Sequence, residues 1–127
     1  MRVQKETALQ HIINATRYSV AGFTTAWKNE TAFRLEPSVI AFMLPVGFWL
    51  GKTAVERALL VGSCLIILIT ELLNSAIEAV VDRIGLDRNT LSKRAKDLGS
   101  AAVFISLLTA GAVWALMVYA RFWGGAD

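Results

Sequence analysis

Residues 98–120 run for 23 positions without an Asp, Glu, Lys or Arg. A stretch that long and that apolar crosses the hydrocarbon core of a bilayer as a helix, which needs about 20 residues. Inside the hydrocarbon every backbone N–H and C=O must find its partner within the protein, so whatever accompanies such a span is helical too. Two further stretches read as spans: 33–51, and 54–81 with an uncharged centre at 58–70. In the first of these the apolar run from Pro37 to Gly51 is short at 15 residues, so the helix is expected to begin upstream near Phe33. The expected fold is therefore an all-α membrane protein with three transmembrane helices. At 127 residues there is room for a single domain, 1–127. Composition agrees, because 18% charged residues is below the quarter or so usual for soluble domains. The net charge of +3 sits beside apolar segments, which suits lipid headgroups better than nucleic acid. Cys64 is the single cysteine, so no internal disulfide can form. The first twenty residues mix polar and apolar types and do not read as a cleavable signal peptide.

Ahead of the spans, Leu9, Ile12, Ile13, Thr16, Val20, Phe23 and Trp27 recur at three- and four-residue steps. That periodicity predicts an amphipathic helix over 7–30, lying in the membrane interface. Pro37 is expected in a first helical turn, where its missing N–H costs nothing. Pro45 is expected to kink the first span. Residues 82–97 form a polar loop in this reading, and Tyr119, Phe122 and Trp123 anchor the last span at its exit. Basic residues set the orientation. Arg2, Lys5, Arg17, Lys28 and Arg34 precede the spans, and Arg83, Arg88, Lys93, Arg94 and Lys96 occupy the loop, against Lys52, Arg57 and Arg121 opposite. Ten against three predicts a cytoplasmic N-terminus and loop, with the C-terminus outside.

The second span carries the chemistry. Glu71, Asn74, Ser75, Glu78 and Asp82 stand at i, i+3, i+4, i+7 and i+11, on one face of an otherwise apolar helix. Glu71 lies about 16 Å along the axis from Asp82, well into the membrane, where an ionisable group is costly and by default functional. Glu78 and Asp82 could instead snorkel to the headgroups, and Asn74 and Ser75 serve equally well as interhelical glue. Glu30 ends the interfacial helix on the same membrane face as Glu78. Two carboxylates without a cluster of His or Cys suit a hard cation such as Mg²⁺, completed by phosphate oxygens. Lys93-x-x-Lys96-Asp97-x-Gly99-Ser100 opens the third span, and Lys96 there could hold phosphate. Positive-inside anchoring accounts for part of that charge. His11, the single histidine, reads from its position alone as a surface residue. No Gly-rich phosphate loop and no soluble kinase signature is present. Residue chemistry alone stops at magnesium and phosphate at a cytoplasmic membrane surface.

Glu30-x-Ala-Phe-Arg-x-Glu36, the run from Glu71 through Asn74, Ser75 and Glu78 to Asp82-Arg83, and Ala95-Lys-Asp-x-Gly-Ser-Ala-Ala102 together resemble the bacterial integral membrane diacylglycerol kinases, over about residues 8–123. The resemblance implies transfer of the γ-phosphate of MgATP to the hydroxyl of diacylglycerol, giving phosphatidic acid, by a homotrimer in the bacterial inner membrane with sites between subunits. It implies Glu71 as general base, with Asn74 orienting it or the phosphate, and Glu30 and Glu78 as Mg²⁺ ligands. Nucleotide contacts would come from His11, Tyr18, Glu30, Glu78, Asp87, Arg88, Asn89, Lys96 and Asp97. Lipid contacts would come from Ser19, Trp27, Phe33, Glu36, Trp49, Arg57, Glu71, Ser100 and Trp114. Thr24, Leu35 and His11 depart from the family pattern, at positions where a basic, a polar and a more basic residue are expected.

Undecaprenol kinase, a branch of the same family, is the nearest alternative, although Trp27-x-Asn29-Glu30 and the aromatic C-terminus look more like the diacylglycerol branch. A small ion-coupled exporter with Glu71 as proton carrier is an alternative of another class. It would favour a central carboxylate open to both sides, whereas these acids group toward one face. A non-catalytic membrane scaffold would leave Glu30, Glu71 and Glu78 without purpose.

Overall fold

The computed structural model describes residues 7–125. Arg2 and Lys5, counted above for orientation, lie outside them. The helices are α1 (Ala8–Asn29), α2 (Thr31–Leu50), α3 (Ala54–Ile84) and α4 (Thr90–Phe122). Those holding the expected spans, α2 from Phe33 onward, α3 and α4, are long and apolar enough to cross a membrane.

Local signals set the ends. Thr7 caps α1 in a reciprocal box with Gln10, and Thr53 caps α3 in the same way with Glu56. Glu30 takes an extended conformation that breaks α1 from α2. Gly85 ends α3, and Asn89 restarts the chain by accepting from the N–H groups of Leu91 and Ser92. The polar segment 82–97 is thus mostly helix, and only 85–89 connects α3 to α4. Charge excludes 82–97 from the hydrocarbon, but the cap at Asn89 starts the helix well before the apolar run. Pro37 departs from expectation too. Because α2 begins at Thr31, Pro37 lies in its interior, as Pro45 does, and neither supplies the N–H of a helical turn.

The chain divides into two compact units, 1–34 and 35–127. In the first, Arg34 closes the C-terminus of α1, its Nε and Nη2 donating to the carbonyls of Trp27 and Lys28 at 2.7 and 2.8 Å. Phe33 is buried and its ring lies 6.4 Å from that of Phe23.

In the second unit, α3 and α4 form an antiparallel pair whose register is visible in three contacts. Thr70 Oγ1 donates to Ser106 Oγ at 2.9 Å, Asn74 abuts Gly99, and Lys96 Nζ meets Asp82 at 2.7 Å. Small buried side chains, Ser63, Cys64, Ser106 and Ala110, line the α3 and α4 faces that pack inward. Large apolar ones, such as Phe42, Leu73, Phe104 and Leu116, point outward. A water-soluble bundle would reverse that distribution; a helix in lipid has no reason to hide Leu or Phe and associates through small and polar residues. Away from the polar stripe, α2 joins this pair through Gly47, against which Trp114 and Leu60 pack, and through Arg57, whose Nε donates to the carbonyls of Phe48 and Gly51 at 3.1 Å.

Candidate active site

Five residues of α3 form a stripe because a 3.6-residue turn stacks positions three and four apart. Glu71, Asn74, Ser75 and Glu78 are half-buried, while Leu73, Ala76, Ile77 and Val80 between them are exposed. The polar face therefore turns toward protein and the apolar face toward the surroundings, as expected for functional groups held inside a membrane protein. The apolar back of α3 borders a groove with Leu91 and Ala95 of α4, and Asp87 and Asn89 stand at its rim.

The Glu71 end of the stripe meets α2. The Glu36 and Glu71 carboxyls are within hydrogen-bonding reach of each other, and Oε2 of Glu36 is buried without a partner. Two carboxyls side by side, one on α2 and one on α3, bring two groups able to accept or donate a proton to one place. That is the kind of arrangement from which a general base is drawn. One turn further along, Oδ1 of Asn74 is buried and also lacks a hydrogen-bond donor. Leaving such a carbonyl unsatisfied costs about 1–3 kcal/mol, and groups of this kind call for an explanation from function.

At the Asp82 end the stripe meets a lysine of α4. Lys96 is bonded to Asp82, and Glu78 is near enough to act on its charge. Both members of the pair are nearly half exposed, so the bridge contributes little to stability and serves rather to hold the lysine where it stands. Asp97, on the next residue, is paired with Lys93 at 2.6 Å on a more exposed face. The stripe thus begins at a pair of neighbouring carboxyls and ends at a positioned ammonium.

Other residues expected at the site are placed as follows. In the first unit His11, Tyr18, Ser19 and Trp27 are exposed on α1, with the Ser19 hydroxyl donating to the carbonyl of Ala15. Glu30 is half-buried at the helix break. In the second unit Asn89 uses its side-chain oxygen to cap α4. Ser100 is exposed next to buried Gly99. Trp49 and Arg57 gather at the far end of the helices from Glu78. Trp49 packs on Phe122 and under Arg121 there, the guanidinium 5.9 Å from the ring centre. Trp114 is half-buried, its ring against Gly47. The contacts of Glu36 with Glu71, of Asp82 with Lys96 and of Gly99 with Asn74 are beyond spacing arguments. A glycine in the interior of a long helix, costly there by about 1 kcal/mol, was the one sequence signal for the last of them.

The donor set suits a hard cation. Among the described residues no three His, Cys, Asp or Glu side chains cluster. A half-buried carboxylate such as Glu78, near the Lys96 ammonium, is of the type that would hold Mg²⁺, which binds through one or two carboxylates and takes its remaining ligands from phosphate and water.

Residues 17–118 match the family model described as prokaryotic diacylglycerol kinase. A diacylglycerol kinase of Haemophilus influenzae is 53% identical over 110 residues, covering 87% of this chain and 93% of that protein. Proteins of the same name from Pseudomonas aeruginosa and Escherichia coli K12 are 50% and 45% identical, over 89% and 91% of this chain and 92% and 95% of theirs. With a family model covering most of its length, half-identical relatives matched nearly end to end, and a polar stripe turned inward from apolar helices, this chain belongs to the prokaryotic diacylglycerol kinase family.

Proposed function

We propose that the protein is a lipid kinase that transfers the γ-phosphate of MgATP to the hydroxyl of diacylglycerol at the cytoplasmic membrane face, yielding phosphatidic acid and ADP. One observation carries this reading: the inward stripe of α3 runs from the Glu36–Glu71 carboxyl pair within the membrane to Lys96 at the start of α4. A lipid hydroxyl arrives from the bilayer and a triphosphate from water, so a site that serves both needs its base deep and its cation shallow.

Glu71 takes the proton of the lipid hydroxyl, whose oxygen attacks the γ-phosphorus as the bond to the β–γ bridging oxygen breaks and ADP departs. Lys96 leaves Asp82 for the phosphates and offsets their charge. Asn74, between Glu71 and Glu78, orients the reacting groups. Glu78 and Glu30 are the carboxylates that the family motif supplies for Mg²⁺, which when bound neutralises the phosphate oxygens. Phosphoryl transfer asks a protein mainly for alignment and charge neutralisation, and these residues are of the types that provide both. The excess of basic residues before the first span and around the α3–α4 connection supports a cytoplasmic position for that connection. The active form is a homotrimer, as the family resemblance implies.

The test is MgATP-dependent phosphorylation in detergent–lipid micelles, with diacylglycerol and undecaprenol offered separately, comparing the native chain with a Glu71→Gln variant of equal folded content. The expected result is transfer to diacylglycerol and a loss of about 10²-fold or more in kcat for the variant. Transfer to undecaprenol alone would replace the acceptor. Full activity in Glu71→Gln would remove Glu71 as the base.

A further inference from the structure

Gly99 belongs to the Lys96-Asp97-x-Gly99-Ser100 motif, yet no role in the reaction has fallen to it. It is buried in the interior of α4, where glycine weakens a helix relative to alanine. A Cβ added there would collide with Oδ1 of Asn74, and its next neighbours would be Cγ and Cα of the same residue, at 3.3 and 3.7 Å. The three nearest neighbours of the absent side chain therefore all belong to Asn74. The other glycines inside helices differ: Gly47 makes its notch for the apolar faces of Trp114 and Leu60, and Gly22, Gly62 and Gly111 face open space.

The same Oδ1 is buried and has no hydrogen-bond donor. Close approach of small residues in membrane helices ordinarily serves backbone packing. Here the space is filled by a polar side chain whose carbonyl oxygen lies in the direction of an Hα of Gly99, a weak C–H···O contact. Asn74 is one turn from Glu71 and one turn from Glu78, and Gly99 is one turn from Lys96, so the contact joins the two helices that carry the reacting groups.

We infer that Gly99 is a positioning residue for phosphoryl transfer: the space left by its missing Cβ is the seat of the Asn74 carboxamide, and that seat fixes Asn74 on the stripe between Glu71 and Glu78. The inference rests on the kinase reading above, in which Asn74 orients the reacting groups. A methyl group on Gly99 pushes the carboxamide out of its seat and misaligns the site without removing a functional group.

A double-mutant cycle on the full chain tests this. Gly99→Ala, Asn74→Ala and the double variant are compared with the native protein for kcat and KM for ATP, by radiolabelled phosphate transfer to diacylglycerol, and for thermal unfolding midpoint. Gly99→Ala is expected to lower kcat about tenfold or more with KM for ATP within about twofold, since small misplacements are costly in this chemistry. In the Asn74→Ala background the same substitution should change kcat by less than about twofold, because nothing is left to displace. An equal fall in both backgrounds, or full activity in Gly99→Ala, overturns the proposal. The midpoint reads the seat without reference to activity: Gly99→Ala should lower it beside Asn74 and leave it unchanged or raise it beside Asn74→Ala, and lowering in both backgrounds overturns the seat. If Gly99→Ala is not recovered folded, recovery of the double variant supports the contact and its failure overturns it. A native chain inactive on diacylglycerol would sink the kinase reading instead, and the midpoints would still report on the seat.

Discussion

Single residues at the site divide by how much each holds the fold. The Lys96–Asp82 bridge is nearly half exposed at both ends, a setting in which ion pairs contribute roughly 0–1 kcal/mol. Lys96→Met should therefore leave the thermal midpoint almost unchanged while raising KM for MgATP about tenfold or more, as steady-state kinetics on the purified variant would show. A large loss of stability with unchanged KM would make the lysine structural. Asn89 presents the opposite case. The family resemblance assigns it to nucleotide, but in the structure its side-chain oxygen caps α4. Asn89→Ala should cost about 0.5–2 kcal/mol and Asn89→Asp, which still caps, much less. Reversible unfolding in detergent separates the two. Asp97 likewise already has a partner in Lys93, fully outside the buried face.

At the scale of elements, the α3–α4 pair is a hairpin in which polarity increases toward one end. Near the middle it is held by small residues and by the Thr70–Ser106 hydrogen bond, Ser106 being 3% exposed. Hydrogen bonds between membrane helices contribute on average about 0.6 kcal/mol, so Ser106→Ala should destabilise the pair only slightly and leave kcat intact. Its measurement by unfolding and assay together would show whether this contact is separate from the chemistry. Much of this element structure was legible from residue order. Uninterrupted apolar runs and the spacing of Glu71, Asn74, Glu78 and Asp82 follow directly from helical geometry. The start of α4 was not, because helix formation at 90–97 depends on a cap and not on hydropathy. The interior place of Pro37 was hidden for a related reason: the restart of the chain at Thr31 is set by the extended conformation of Glu30.

Among the described residues many large apolar side chains are exposed, while Ser63, Cys64, Ser106 and Ala110 are buried with Leu60 where helices pack. The aromatic group of Trp49, Tyr119, Phe122 and Trp123 gathers at the helix ends opposite the Lys96–Asp82 bridge, a composition typical of a membrane interface. With the basic residues concentrated at the other end, a reporter fused after Asp127 is expected to act on the outer side. Cysteines placed at Arg88 should label only from the cytoplasmic side, in a background where buried Cys64 is replaced. Labelling of Arg88→Cys from outside intact cells would reverse the orientation and move the nucleotide site with it. The order of apolar and polar residues determined by itself that this chain forms membrane helices with a carboxylate stripe on one of them, because hydropathy and the 3.6-residue turn act locally along the chain. Which groups that stripe meets was decided only by tertiary structure. The pairing of Glu36 with Glu71, the bond from Lys96 to Asp82 and the place Gly99 leaves for Asn74 each join residues distant in sequence. Such meetings depend on the register and closeness of packed helices, which no periodicity within one helix encodes.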